Sequence, residues 1–478
     1  MVATGGLVPD SPPGRTRGVT FDAHSSTSSP PRAVPHALGT LSGPRQLHQV
    51  LGVAFGVAVL VGNTVSVGIL RTPGNVAEAL PSTALFLGVW VIGGLYALLG
   101  AMSLAEPGAM IRRSGAQYPI VHRALGPYPG FIVGWSDWLS TAASIALVAI
   151  VFAEYSAPLL PEFAGRDRIV GCGLVLGFGL LQWRGIKSGD IAQQLLSAFK
   201  ALAFATLGVA ALVMAIPDRV APAAVALPVG TALAGAIIIG LQSVILSYDG
   251  WTGPLYFGEE TVDAGRSIPR AMIGGVLAVI AIYLLLNVAM LRVLGIEAMA
   301  GDPFVAATAS TVLFGAKGDL ILRLLVLGSL LGGINALVLL CARIPVAMSQ
   351  DRLMPARFTT VNAGGTPTVA HWTSVGLAIG FILSGTFNTV LALAAFFFVA
   401  NYVLSFSSVF VLRRREPDTP RPFRVPGFPY TTGLVLVGSI AFIVGSILSD
   451  RTNSLRSIAL LAVSWPVYRV VLRLRRHG

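Results

Sequence analysis

The stretch "VGNTVSVGILRTPGN", Val61 to Asn75, lies in the first long apolar run of the chain and makes a poor ordinary membrane helix. Leu and Ile would suit lipid better than Gly62, Asn63, Thr64, Ser66 and Gly68. A second stretch, "LSYDGWTGP" from Leu246 to Pro254, interrupts a later apolar run with Asp249, Gly250, Gly253 and Pro254. Gly has no Cβ and Pro no N–H, so both loosen helical hydrogen bonding. In hydrocarbon a freed backbone group is costly unless buried protein or a water cavity satisfies it. Gly also serves membrane helices simply as a close-packing residue. Two breaks in corresponding places, each with polar neighbours, mark instead the discontinuous helices of a binding site.

Composition supplies the apolar setting. Of 478 residues 54% are hydrophobic and only 11% charged, with mean hydropathy +0.76. A soluble chain carries roughly 25% charged residues, so lipid must solvate the excess. Runs of about 20 apolar residues cross a bilayer. Twelve occur, near 49–70, 83–105, 129–153, 167–183, 193–215, 232–257, 271–294, 320–343, 368–386, 389–411, 430–449 and 456–472. The expected fold class is an all-α polytopic membrane protein with twelve transmembrane helices. The breaks fall in spans one and six, the spacing of an inverted repeat of spans 1–5 and 6–10.

The net charge of +12 does not point to nucleic acid, because Lys and Arg flank the apolar spans and form no basic domain. With the N-terminus inside, most of the 33 Lys and Arg fall on inner segments, among them Arg112, Arg113, Arg123 and Arg413 to Arg415. That is the positive-inside bias, and it places both termini in the cytoplasm. Residues 1–45 are rich in Pro, Ser, Gly and Thr and read as a disordered cytoplasmic tail. Residues 46–412 form the transport core, and 413–478 an inner loop, two additional helices and a basic C-terminus. Cys172 and Cys341 both lie within spans, so no structural disulfide is expected.

A broken helix presents carbonyls at the end of its first half and amides at the start of its second. A zwitterionic amino acid fits that pair of half-charges. Its carboxylate would meet the amides of Ser66, Val67 and Gly68. Its ammonium would meet carbonyls near Gly62, Asn63, Thr64 and Val65, and near Leu246 and Ser247. Tyr248, Gly250 and Trp251 complete the second half-site, with Trp251 read as a packing and gating residue.

Several polar residues sit where lipid would exclude them. Lys200, in "QQLLSAFKALAFATL", is about seven residues into span five, roughly 10 Å deep, and either snorkels to the interface or acts in coupling. Asp249 either caps a second half-helix or contacts a substrate amine. Asp137 reads as structural, and Glu106, Glu259 and Glu260 as solvated charge at inner span ends beside Arg112, Arg113, Arg266 and Arg270, with an inner gate of ion pairs as the alternative. Asn335 either lines the cavity or bonds between helices. The sequence has no HExxH, no phosphate-binding GxxxxGK[ST] and no Cys/His metal spacing. No enzyme chemistry, cofactor or metal is therefore expected.

At these residues the chain resembles the amino acid–polyamine–organocation (APC) superfamily, close to the L-type and bacterial serine-threonine exchanger-like members. "GNTVSVGIL" (Gly62–Leu70) is similar to the family's G-[ST]-x-[IV]-G-[ST]-G-I-[FL]. So are "AEPGAMIRRSGAQYPIVHRALGPYPGFIVGW" (Ala105–Trp135), "SYDGWTGPLYFGEETVDAGRSIPRAM" (Ser247–Met272), "CARIPVAMSQDRLMPARF" (Cys341–Phe358) and "LRRREPDTPRPFRVPGFPY" (Leu412–Tyr430) to its other motifs. The resemblance covers about Leu51 to Pro429. It implies a LeuT-type 5+5 inverted repeat plus two helices, alternating access, and amino acids as substrates, with polyamines or organic cations as the alternative. It also implies that Lys200 matches a span-five lysine of sodium-independent members, giving an exchanger or a proton-coupled symporter. Ser66 and Val67 depart from the motif, and Leu246 replaces an aromatic gate found in many relatives. The loop around 156–168 lacks the Cys through which some relatives bind a heavy-chain subunit. No such partner is therefore expected, and the protein is placed in a bacterial plasma (inner) membrane.

Overall fold

The structure is a computed structural model and describes residues 49–163, 165–214, 226–302, 304–384, 387–449 and 451–476. The 1–45 tail lies outside these residues. The described chain is helical throughout, in the order α1 (Val53–Thr64), α2 (Val67–Ala79), α3 (Thr83–Ile111), α4 (Tyr118–Leu125), α5 (Pro127–Ser156) and α6 (Asp167–Trp183). There follow α7 (Ile186–Val213), α8 (Thr231–Ser247), α9 (Ala264–Leu294), α10 (Ile296–Met299), α11 (Val305–Phe314) and α12 (Gly318–Cys341). The chain ends with α13 (Arg343–Gln350), α14 (Thr368–Ser384), α15 (Phe387–Arg415), α16 (Tyr430–Ser449) and α17 (Arg451–Arg476).

Among the described residues eight helices are long and apolar enough to cross a membrane, and nine if α1 and α2 count as one bent span. The protein is thus a multi-pass membrane protein. Three of the twelve expected spans correspond to helices of only 17 residues, namely α6, α8 and α14. At 1.5 Å per residue these fall short of the roughly 30 Å hydrocarbon thickness. For α8 the reason is local: the helix ends at Ser247, where Tyr248–Thr252 turn.

The two irregular stretches behave differently from each other. The first bends by 47° between α1 and α2, and α2 runs on through Pro73 to Ala79, well beyond the expected limit at residue 70. In the second, helix does not resume as an α-helix. Gly250 has φ +117°, and only a 3-10 turn, Gly253–Tyr256, precedes the loop to α9. Asp249 therefore has no second half-helix to cap, which corrects one of its two expected roles.

The core is built around these breaks. α1 packs on α7, α9 and α12, while α2 packs on α8. α5 is the most enclosed long helix and packs on α12, α14 and α15. α16 packs on α3 and α15, and α17 on α5 and α15. Large apolar side chains such as Ile169, Leu180, Leu195, Leu202 and Val213 remain exposed on outward faces, which suits helices solvated by lipid.

Candidate functional site

The two breaks meet. A Cβ on Gly68 would stand 2.9 Å from Ser247 Cα, and a Cβ on Gly250 would stand 2.7 Å from Thr64 Oγ1. Glycine is required at both places because backbone passes against backbone or against a buried hydroxyl. The Tyr283 hydroxyl donates to Thr64 O at 2.8 Å and to Ser247 O at 3.0 Å, tying the ends of α1 and α8 to one atom. Thr72 Oγ1 and Ser247 Oγ lie 2.7 Å apart, and Asn63 Nδ2 donates to Gly250 O at 3.4 Å.

A cavity of about 470 Å³ opens against this junction. Of the residues expected from sequence, Asn63, Thr64, Ser66, Gly68, Leu246, Ser247, Asp249 and Gly250 line it. Gly62, Val65, Tyr248 and Trp251 do not. Val65 is fully buried and offers its carbonyl away from the cavity. Tyr248 packs edge-on to Trp90 and against Tyr283, and Trp251 stacks on Tyr402 and Phe406. The side chain of Val67 lies outside the described residues. The wall that sequence reasoning missed comes from α5, with Thr141, Ser144, Leu147, Val148 and Val151, and from Leu337 and Leu340 of α12 and Phe398 of α15.

The cavity floor is unusual in leaving buried hydroxyls without partners. Thr64 Oγ1 and Ser66 Oγ are both buried and make no hydrogen bond. Ser66 is the N-cap residue of α2, yet its side chain does not cap the helix. The first amides of α2 have no intrahelical partner in any case. A buried polar atom without a partner costs roughly 1–3 kcal/mol, which an anionic group at this helix N-terminus would relieve.

Lys200 sits on the other side of the break. It is fully buried, and its Nζ donates to Gly62 O at 2.9 Å and to Val65 O at 2.5 Å. Ser329 Oγ also donates to Val65 O, at 3.2 Å. The ammonium is therefore placed on the carbonyl end of α1, where the helix dipole favours a cation. It does not snorkel, and among the described residues no carboxylate pairs with it.

Asp249 accepts the hydroxyl of Tyr402. Asp137 is buried one layer further and accepts the Tyr256 hydroxyl at 2.9 and 3.0 Å on its two oxygens. Asn335 bridges helices instead of lining the cavity. Its Nδ2 donates to Gly189 O and Gln193 Oε1, and its Oδ1 accepts from Gln182 Nε2.

Beyond the cavity, the end rich in arginine is closed. Glu260 and Arg343 form a buried bidentate pair at 3.2 Å, with the guanidinium 5.1 Å over Phe257. Glu106 is buried and accepts from Arg413, Arg421 and the Val425 amide. These two acids correct the expectation of solvated interfacial charge, and their partners come from sequence-distant segments. Glu259 alone remains half-buried, bonded to Gln350. Arg113 and Tyr118 both hold Asp351, at 3.1 and 2.7 Å, and His122 stands 3.9 Å away with burial holding its imidazole below the ordinary range. Leu51 pairs with the same closure, its amide on Glu260 O and its carbonyl on the Val262 amide.

Comparison with known proteins agrees with this geometry. The family profile described as amino acid permease matches residues 49–467, and the chain belongs to that family. It is accordingly a transport protein of the membrane and not an enzyme. It is 27% identical to the serine/threonine exchanger SteT of Bacillus subtilis (strain 168), over 88% of this chain and 96% of that protein. It is 26% identical to the b(0,+)-type amino acid transporter 1 of Homo sapiens, over 80% of this chain and 79% of the relative. It is 25% identical to the large neutral amino acids transporter small subunit 2 of Mus musculus, over 86% and 78%.

Proposed function

We propose that this protein is a Na⁺-independent secondary transporter of amino acids, working by alternating access as an exchanger or proton-coupled symporter. The observation that carries the reading is the shared junction of two broken helices. One side of the first break bears the Lys200 ammonium on its carbonyls, and the cavity on the other side is lined by the unpartnered hydroxyls of Thr64 and of Ser66 at the start of α2. The substrate carboxylate lies on the start of α2 at Ser66, Val67 and Gly68. Its ammonium lies toward the α8 end at Leu246 and Ser247, with the Asp249 carboxylate beside it. Leu147, Val148, Val151 and Leu337 form an apolar wall suited to a neutral side chain.

Lys200 fills with a fixed cation the place where a sodium ion would lie between carbonyls, so no Na⁺ gradient drives the cycle. Twelve spans in a LeuT-type arrangement, with residues 46–412 as the core, are part of this reading, as is the placement of both termini in the cytoplasm. The arginine-rich end is then the cytoplasmic one, and the structure is closed there. The protein works in the plasma (inner) membrane without a covalent heavy-chain subunit. The names of the relatives favour amino acids over the alternative of polyamines or organic cations.

Counterflow in proteoliposomes tests the substrate class, using purified protein against labelled L-serine, L-threonine, L-leucine, L-arginine and putrescine. Uptake of at least one amino acid, unchanged when choline replaces Na⁺, is the expected result. Uptake of putrescine alone, or collapse in choline, would overturn the reading.

A further inference from the structure

Among the described residues, every side-chain hydrogen bond from α7 to α1 leaves one face of α7. Gly189, Gln193, Ser197 and Lys200 follow at spacings of four, four and three, which stacks them on a single helical stripe. The side chains of Gln193, Ser197 and Lys200 are all buried. Gln193 Nε2 donates to Ala58 O at 3.1 Å, and Ser197 Oγ donates to the same oxygen at 2.7 Å. Lys200 takes Gly62 O and Val65 O above them.

Gln193 is also the end of a chain of amides. Gln182 Nε2 of α6 donates to Asn335 Oδ1 of α12 at 2.9 Å, and Asn335 Nδ2 donates to Gln193 Oε1 at 2.9 Å. Gln193 then donates onward to α1. Asn335 and Gln193 each accept on one side and donate on the other, so their orientation is fixed by the bonds themselves, while Gln182 begins the series as a donor to both Asn335 oxygens. Opposite Gln193 stands Gly62, where a Cβ would fall 1.9 Å from Nε2. Gly62 therefore has a second reason to be glycine, namely room for the Gln193 amide.

We propose that Gln193 is a positioning residue for transport. It registers α1 against α7 so that Gly62 and Val65 present their carbonyls to Lys200, and it is the side chain released when α1 parts from α7. This inference rests on the transport reading above. The bend at Val65–Ser66 separates α1 from α2, so α1 moves without carrying the cavity face of α2 with it. The arginine-rich end is closed in part by the Leu51 segment leading into α1, so displacing α1 opens that end. The amide chain opposes this opening and thereby favours the closed form that holds the substrate.

The test uses the full chain in proteoliposomes, with labelled L-serine, L-threonine and L-leucine supplied outside, and thermal unfolding in detergent alongside. Gln193→Glu is close to isosteric, keeps the acceptor for Asn335 and removes the donor to Ala58 O. Gln193→Met removes both polar ends and retains the volume. Both variants are expected to raise KM about five- to tenfold, the scale of one net buried hydrogen bond, with the maximal rate within about twofold of wild type on the same scale. Unchanged KM in both variants overturns the proposal, including the case in which only unfolding temperature or yield falls, since a merely structural role would produce that. A wild-type protein that carries none of these three amino acids and no L-arginine overturns the transport reading itself, and the inference with it.

Discussion

The Lys200 ammonium lies 2.5 Å from the carbonyl oxygen of Val65, at the point where α1 ends and the chain turns toward α2. A buried cation is expensive in a membrane protein and marks a functional site. Here two carbonyls and the end of a helix dipole offset that cost. Lys200→Met leaves Gly62 O without this donor and removes the charge. Uptake of the preferred amino acid should fall at least about tenfold, because hydrogen bonds from charged groups are worth roughly 1.5–3 kcal/mol each. Added Na⁺ should not restore it. Wild-type rates in proteoliposomes made with Lys200→Met would remove Lys200 from the cycle.

Asp249 provides a cleaner separation of charge from shape. Its carboxylate lines the cavity and already accepts the Tyr402 hydroxyl. Asp249→Asn keeps an acceptor for that hydroxyl and drops the negative charge. If the carboxylate faces the substrate ammonium, KM should rise about tenfold or more, the price of one charge-assisted bond. Tyr402→Phe should have a smaller effect on KM, since the charge remains. Equal KM for Asp249→Asn and wild type would confine Asp249 to a structural role.

The residues that sequence reading found are those that break a helix, and the reason is physical. Asn63, Ser66, Gly68, Asp249 and Gly250 are anomalous in any lipid-facing or close-packed helix, so they are visible without a structure. Leu147, Val148, Leu337 and Phe398 also line the cavity but are invisible. Lipid and protein interior are both apolar, so periodicity does not tell a cavity wall from a lipid face. A weaker signal was present on α5, where Asp137, Thr141 and Ser144 recur at i, i+4 and i+7 and mark one polar face. The same spacing at Gln193, Ser197 and Lys200 marks the face of α7 that holds α1. The partners of Glu106 and Glu260 could not be read, because their arginines lie 83 or more residues away in sequence.

The Glu416–Arg123 pair gives a pH dependence with a definite sign. Arg123 donates to both Glu416 oxygens, at 3.0 and 2.7 Å, and these bonds lower the carboxyl pKa below its ordinary value. A carboxylate depressed in the folded state adds stability above its unfolded pKa and loses it as pH falls through the folded one. The pair is partly exposed, so screening keeps its contribution small. Glu416→Gln should therefore lower the unfolding temperature slightly at pH 7, and the difference from wild type should vanish as the pH falls below the ordinary carboxylate range. A difference that grows on acidification would contradict this.

The Glu260–Arg343 pair tests the closure of the arginine-rich end. Both side chains are almost fully buried, and Arg343 also donates to Leu339 O at 2.9 Å. A buried pair need not stabilise relative to an apolar one, but removing one partner takes the bidentate ion pair from a charge that stays buried, at about 3–5 kcal/mol. Glu260→Gln and Arg343→Met should each be strongly destabilising in thermal unfolding. The double variant should recover much of that loss, because no buried charge then lacks its ion-pair counterpart. Its transport should not recover in parallel. Glu260 belongs to the loop that pairs with Leu51 ahead of α1, while Arg343 opens α13 beyond α12, so the pair spans segments that separate in the alternating-access cycle proposed above. A double variant with restored stability and weakened KM identifies the pair as holding the closed form. One that is restored in both assigns it to folding alone.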